Sequence, residues 1–260
     1  MIKALFFDID GTLVSFRTHS IPVSTVEALT KAKMQGIKIF ISTGRPYRII
    51  NNLDSIKHLI DGYVTTNGAY NFIGSHVVSC NPIPLKDVMA TIELADTMNF
   101  ACVVVGEKDL AVYNSNSAID RIFGRLLNVP DIGDNTPIEI VLKQRILQMS
   151  PIINETEEAV LMPRLTECIS NRWHPDFTDI TERNADKGRG LASIAAFEGL
   201  DLSETMAFGD GGNDISIIER AGIGVAMGNA GEQVQAAADY VTTSVDEDGI
   251  KQAFLHFGLI

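Results

Sequence analysis

Ala4-Leu5-Phe6-Phe7-Asp8-Ile9-Asp10-Gly11-Thr12 is the stretch on which the chain turns. Residues 1–7 are apolar apart from Lys3, and the run stops abruptly at Asp8. A short apolar run ending in polar residues reads as a strand buried on both faces of a parallel sheet. In such sheets chemistry gathers just beyond the carboxyl ends of the strands. Asp8 stands at that end. Asp10 is two residues on, so in extended backbone its side chain leaves on the same side. Gly11 lets the chain turn sharply there. Two carboxylates held together repel unless a cation lies between them or one keeps a proton. Oxygen ligands at this spacing suit a hard cation such as Mg²⁺. Asp and Gly are also ordinary turn residues, so the weight of the catalytic reading comes from matching pieces downstream.

Working outward, 23–35 reads as a helix, with Pro22 near its start and Gly36 at its end. Ile37 to Ile41 is a second buried strand, terminating in Ser42-Thr43-Gly44-Arg45-Pro46. Pro46 is expected to open another helix running to about Ile60, completing a βαβ layout. Thr43 again sits at the carboxyl end of a strand, where a hydroxyl at a helix start can hold a phosphate oxygen. A guanidinium at Arg45 adds a second anion contact. Tyr63 to Thr65 is a third strand, followed by the loop Thr66-Asn67-Gly68-Ala69.

From Pro82 the rhythm changes. A helical pattern over 85–99, a hairpin over 100–113, a helix over 116–127, a loop over 129–137 and further strands make an antiparallel α+β stretch of domain size. Asn171-Arg172-Trp173-His174-Pro175-Asp176 reads as a hairpin turn, with Trp173 a candidate to stack on a sugar face. The expected organisation is a core domain over 1–82, an inserted α+β domain over 83–183, and the rest of the core over 184–260. The βα rhythm resumes at Asp186, a natural N-cap for a helix from Lys187 to Phe197. A lysine in a first helical turn is disfavoured by the helix dipole, which hints that Lys187 answers to an anion. A strand over 205–208 then ends in Gly209-Asp210-Gly211-Gly212-Asn213-Asp214. This acidic, glycine-rich loop repels phosphate unless a cation intervenes, unlike a Walker loop with its lysine.

The chain has 260 residues and a net charge of −12, which argues against nucleic acid or an anionic membrane as main partner. No apolar run approaches a membrane span, and the start lacks a signal-peptide pattern, so a cytoplasmic protein is expected. Three widely spaced cysteines, Cys80, Cys102 and Cys168, point to free thiols. The oligomeric state is open, with a monomer favoured.

Asp8-Ile9-Asp10-Gly11-Thr12, Ser42-Thr43-Gly44-Arg45, Lys187-Gly188 and Gly209-Asp210-Gly211-Gly212-Asn213-Asp214 together resemble, in order and spacing, the four motifs of the haloacid dehalogenase superfamily. The insertion after the second motif and the Thr66-Asn67-Gly68-Ala69 loop resemble the Cof-type sugar phosphatases with a class IIB cap. The resemblance implies a Rossmann-like, doubly wound parallel-sheet α/β core with an inserted α+β cap. It implies an Mg²⁺-dependent hydrolase of small phosphorylated metabolites, hexose and pentose phosphates foremost. Asp8 would be the nucleophile that forms an aspartyl-phosphate and Asp10 the general acid/base. Thr43, Lys187 and Asn213 would hold the phosphoryl group, with Arg45 reaching substrate. Asp8, the main-chain carbonyl of Asp10, and Asp210 would bind the metal. Gly11, Thr12, Gly44 and Asp214 would support them. A phosphosugar mutase of the same fold and a sensor that binds without turnover are the alternatives.

Overall fold

The computed structural model describes residues 1–127, 129, 132 and 136–260, apart from the side chains at 126 and 173. Most of the loop expected over 129–137, and the Trp173 side chain, therefore lie outside the described residues. The chain divides into two compact units, one of residues 1–45, 50–79 and 186–260, the other of residues 46–49 and 80–185.

The first unit is built on β1 (Ala4–Phe7), α1 (Val23–Met34), β2 (Lys38–Ser42), β3 (Gly62–Thr65), β4 (Tyr70–Ile73) and β5 (His76–Cys80). After the second unit it continues with α6 (Lys187–Phe197), β11 (Thr205–Gly209), α7 (Ile215–Arg220), β12 (Ile223–Ala226), α8 (Glu232–Ala237), β13 (Tyr240–Val241) and α9 (Gly249–His256). The sheet order is β13-β12-β11-β1-β2-β3-β4-β5. The strands from β13 to β3 pair in parallel, and β4 returns antiparallel to β3.

Alternation along β1 explains its unbroken apolar run. Leu5 and Phe7 join α1 and α9 residues on one face, while Ala4 and Phe6 join Leu191, Ile194 and Ile217 on the other. Both faces are covered, as a parallel sheet requires. This is the α/β, parallel-sheet core that the sequence leads one to expect.

The second unit carries α2 (Leu85–Met98), β6 (Cys102–Gly106), β7 (Leu110–Tyr113), α3 (Ser117–Ile119), α4 (Ile138–Val141), β8 (Ile146–Pro151), α5 (Glu155–Leu161), β9 (Cys168–His174) and β10 (Phe177–Glu182). Its strands run in the order β7-β6-β8-β10-β9, with antiparallel pairings. The α2 helix ends cleanly because Asn99 takes a left-handed conformation at its C-terminus. All three cysteines are free thiols.

Three local expectations need correction. No α-helix runs from Pro46 to Ile60; single tight turns form at Tyr47–Ile49 and Lys57–Leu59. The Asn51-Asn52-Leu53-Asp54-Ser55 stretch is the reason, since such side chains compete with the helix for backbone hydrogen bonds, and Asn52 is left-handed with φ 62°. The segment over 116–127 is one α turn followed by a wider π turn, Asp120–Leu126, not a regular helix. The hairpin of β4 and β5 extends the core sheet where no strand is expected from sequence.

Candidate active site

The parallel strands β1, β2 and β11 lie side by side, so their carboxyl ends deliver three loops to one place. Asp8 follows β1 and is buried at 7% exposure. Gly11 turns the chain with φ +88°, and a Cβ there would stand 2.2 Å from Asp210 Oδ2. A side chain at this position would therefore force the Asp210 carboxylate to move. Thr12 donates its hydroxyl to Asp210 Oδ1 at 2.9 Å.

The loop after β11 is tightened by Asp214, whose Oδ2 accepts from the N–H groups of Asp210 and Gly211 at 3.1 and 2.9 Å. One oxygen each of Asp8, Asp210 and Asp214 can be chosen so that all lie within 4.8 Å of one another. An all-oxygen set at that spacing fits a hard divalent cation.

Lys187 is the first residue of α6, capped by Asp186, whose side chain accepts from Arg189 N. Its Nζ donates to Asp8 Oδ1 at 2.7 Å and to Asp214 Oδ1 at 2.6 Å. The anions that this first-turn lysine answers to in the structure are thus carboxylates of the site itself. Burial alone would lower the Lys187 pKa, but Asp214 and Asp8 outweigh it and raise it above the usual lysine range.

The carboxylates feel the reverse. Burial pushes Asp8 well above the usual carboxylate range, helped by Asp214, Asp210 and Asp10 and opposed by Lys187. Asp210 is pushed up to about 7, by burial first and then by Asp214. One lysine does not neutralise three clustered acids, so the group favours an added proton or an added cation.

Thr43 is buried at the end of β2, and its Oγ1 accepts from Arg45 N at 3.0 Å. Arg45 is itself buried, and its guanidinium grips both carboxylate oxygens of Asp10. It also donates to Asn51 Oδ1 at 2.8 Å. The Asp10 side chain is thereby turned to Arg45; its expected contribution to a metal, through the main-chain carbonyl, does not call on that side chain. Gly44 packs against the carboxamides of Asn67 and Asn213.

Two residues belong to this constellation that the sequence reading left out. Asn229, after β12, donates to Gly11 O at 2.9 Å and to Asp210 Oδ2 at 3.1 Å. Asn67, after β3, accepts from Asn213 Nδ2 at 2.9 Å. Each sits beside a glycine just past the end of a strand, but only the sheet order brings it to the site.

A sequence profile of the haloacid dehalogenase-like hydrolases matches residues 5–254. The chain belongs to this family. This hydrolase is also similar to YkrA of Bacillus subtilis (strain 168), named provisionally as a phosphatase, with 30% identity over 99% of this chain and 98% of that one. The solved structure of BT4131, described as a sugar phosphatase of haloacid dehalogenase subclass IIB, superposes with a TM-score of 0.93 at 48% identity, covering 99% of this chain and 100% of that one. YbhA of Escherichia coli (strain K12), named a pyridoxal phosphate phosphatase, is 26% identical over 99% of each chain. The haloacid dehalogenase-like hydrolase described here is a Cof-type phosphatase acting on a phosphorylated small molecule. Among the described residues no helix is long and apolar enough to cross a membrane.

Proposed function

We propose that this phosphatase hydrolyses small sugar phosphates, hexose and pentose phosphates foremost, through an aspartyl-phosphate on Asp8 and with Mg²⁺ as cofactor. The observation that carries the reading is the buried meeting of Asp8, Asp210 and Asp214 around Lys187. The sugar class rests on the likeness to BT4131 at 48% identity.

The ion would be held by Asp8, Asp210 and the main-chain carbonyl of Asp10, with Asp214 close by. When bound, Mg²⁺ supplies positive charge that offsets the repulsion between a carboxylate and a phosphate dianion. Asp8 attacks phosphorus, and the bond to the sugar oxygen breaks. Asp10 gives that oxygen its proton. Asp10 then takes a proton from water as the water attacks the aspartyl-phosphate, releasing phosphate and restoring Asp8. Lys187, the Thr43 hydroxyl and the Asn213 carboxamide hold the phosphoryl oxygens as charge redistributes. For Lys187 this means sharing its ammonium between Asp8 and substrate.

Arg45 has an orienting part in addition to the substrate contact expected of it. Its two bonds to Asp10 support an orienting role, holding the acid/base in place between turnovers.

The test is phosphate release from a panel of hexose, pentose, pyridoxal and nucleoside monophosphates, with Mg²⁺ or with chelator. Turnover of the sugar phosphates, lost with chelator and in Asp8→Asn, is the expected result. Turnover of pyridoxal phosphate with inert sugar phosphates would overturn the substrate class. Undiminished activity in Asp8→Asn would overturn the covalent route.

A further inference from the structure

We infer that Asn67 is a further phosphoryl-contacting residue: its Nδ2 donates to an oxygen of the transferring group while its Oδ1 holds Asn213. The inference rests on the phosphatase chemistry proposed above and names a residue that chemistry does not include.

Asn67 lies in a turn bound to the loop that carries Thr43 and Arg45. Asn67 N donates to Thr43 O at 3.1 Å, and Thr66 N donates to Arg45 O at 3.2 Å. On its other side the turn abuts the residue before Lys187: a Cβ on Gly68 would stand 2.1 Å from Asp186 O. The carboxamide of Asn67 accepts from Asn213 and packs on Gly44, whose Cβ, if it had one, would be 3.2 Å from Nδ2. Asn67 thus joins all the loops expected to hold the phosphoryl group.

Its Nδ2 is buried, in a residue only 2% exposed, and has no hydrogen-bond partner among the described residues. A buried amide donor with no acceptor is rare and calls for a reason. The backbone gives a second, independent sign. Thr66 and Asn67 both adopt left-handed conformations, with φ of 50° and 52°. For a β-branched threonine this is an outlier. Such strain persists only where the surroundings enforce it, and it collects at functional sites. Glycine would take up this conformation at position 67 more readily, so the asparagine side chain has a use of its own.

The chemistry of the site says what that use is. Lys187 and Arg45 are both engaged by carboxylates, and four acids surround them. A phosphate dianion entering here needs donors that bring no competing acceptor. An uncharged N–H pointing at the phosphoryl group meets that need, and a fixed donor gains strength as negative charge builds on the oxygen.

Substitutions at Asn67, alone and beside Asn213→Ala, and one measurement on the wild type test this. Asn67→Asp keeps the acceptor for Asn213, removes the donor and adds a carboxylate, so the uncharged Asn67→Gly serves as its control. With para-nitrophenyl phosphate in saturating Mg²⁺, it should lose about 10²–10³-fold in kcat/KM, the usual effect of deleting one such donor. Its affinity for orthovanadate should fall by a like factor. Asn67→Gly relieves the backbone and should fold at least as stably, with the same loss of vanadate affinity. In wild-type protein the Asn67 side-chain amide resonances should shift when vanadate is added. Resonances that stay put, or an Asn67→Asp variant with wild-type turnover and vanadate affinity, would overturn the assignment. The same follows if Asn67→Asp has no further effect once Asn213 is replaced by Ala, since Asn67 would then act only through Asn213. A wild type inert to aryl phosphate would end the reaction proposed above as well; an active wild type beside an indifferent Asn67→Asp would end this inference alone.

Discussion

Arg45 holds Asp10 by both carboxylate oxygens, with Nε reaching Oδ2 and Nη2 reaching Oδ1, each at 2.7 Å. For Asp10 to hand a proton to a leaving oxygen, one of its oxygens must come free. In the proton transfer proposed above, Arg45 would therefore set both where Asp10 points and when it is available. Lysine cannot reproduce the two-pronged contact. Arg45→Lys should lower kcat/KM about 10- to 100-fold, in line with the roughly 1.5–3 kcal/mol of a charge-assisted hydrogen bond. Steady-state kinetics on an aryl phosphate check this, and an unaltered kcat/KM would mean the clasp is incidental.

Lys187 is the cation that the buried Asp8 and Asp214 share, so Lys187→Met should both slow the enzyme and weaken the fold. Leaving buried carboxylates without their partner costs about 3–5 kcal/mol. Urea unfolding would show it, and Mg²⁺ should recover part of the loss because it supplies charge at the same spot. A variant as stable as wild type in chelator contradicts this account.

The raised carboxylates make the metal-free protein sensitive to pH. Asp210, at about 7, binds its proton more tightly folded than unfolded, where a value near 4 applies. Between these two values the native state carries more protons, so stability falls as pH rises. Asp8 is displaced in the same direction. In chelator the melting temperature should therefore be higher near pH 5.5 than near pH 8. For a group protonated in the folded chain and ionised in the unfolded one, each step of one in pH removes about 1.4 kcal/mol. Mg²⁺ should raise the melting temperature more at the higher pH, where no proton competes. Thermal melts across this range decide the matter.

Asn229 steadies the Gly11 carbonyl and Asp210 together. Groups of this kind orient metal ligands, and their loss typically weakens metal affinity about 10–100-fold. Asn229→Ala should therefore need more Mg²⁺ for half-maximal activity while reaching a near-normal kcat at saturation. Direct titration with Mg²⁺ by calorimetry gives the same quantity without turnover.

In the inserted unit, Asp87 at the start of α2 accepts from the N–H groups of Thr166 and Glu167 at 3.1 and 2.9 Å. Burial alone would raise its pKa, but the Glu167 and Thr166 donors outweigh it and hold the carboxyl below its usual range. A depressed carboxylate stabilises above its unfolded value, near 4, and that contribution disappears as pH falls through the folded value. Asp87→Ala should cost about 2 kcal/mol at neutral pH and flatten the acid limb of the stability curve. Hydrogen exchange should show faster opening around residues 165–168, with the β1 amides unchanged.

Local chemistry alone determined much of this protein. The apolar run before Asp8, the polar stops after β2 and β11 and the Asp186 cap before Lys187 are set by periodicity, burial and backbone hydrogen bonding within a few residues. They place the strands, their order of occurrence and the residues at their carboxyl ends. The stretch after Pro46 shows the limit of such reasoning: a proline start suggested a helix, and the asparagines, aspartate and serine that follow broke it. Tertiary structure alone decided the partners. Lys187 meets Asp8 across 179 positions, Asn213 meets Asn67 across 146, and Asn229 meets Gly11 across 218. Those pairs follow from β11 lying beside β1 and from β3 following β2 in the sheet. Strand order is fixed by how both faces of the sheet are covered, a property of the whole packed core that no short window of sequence contains.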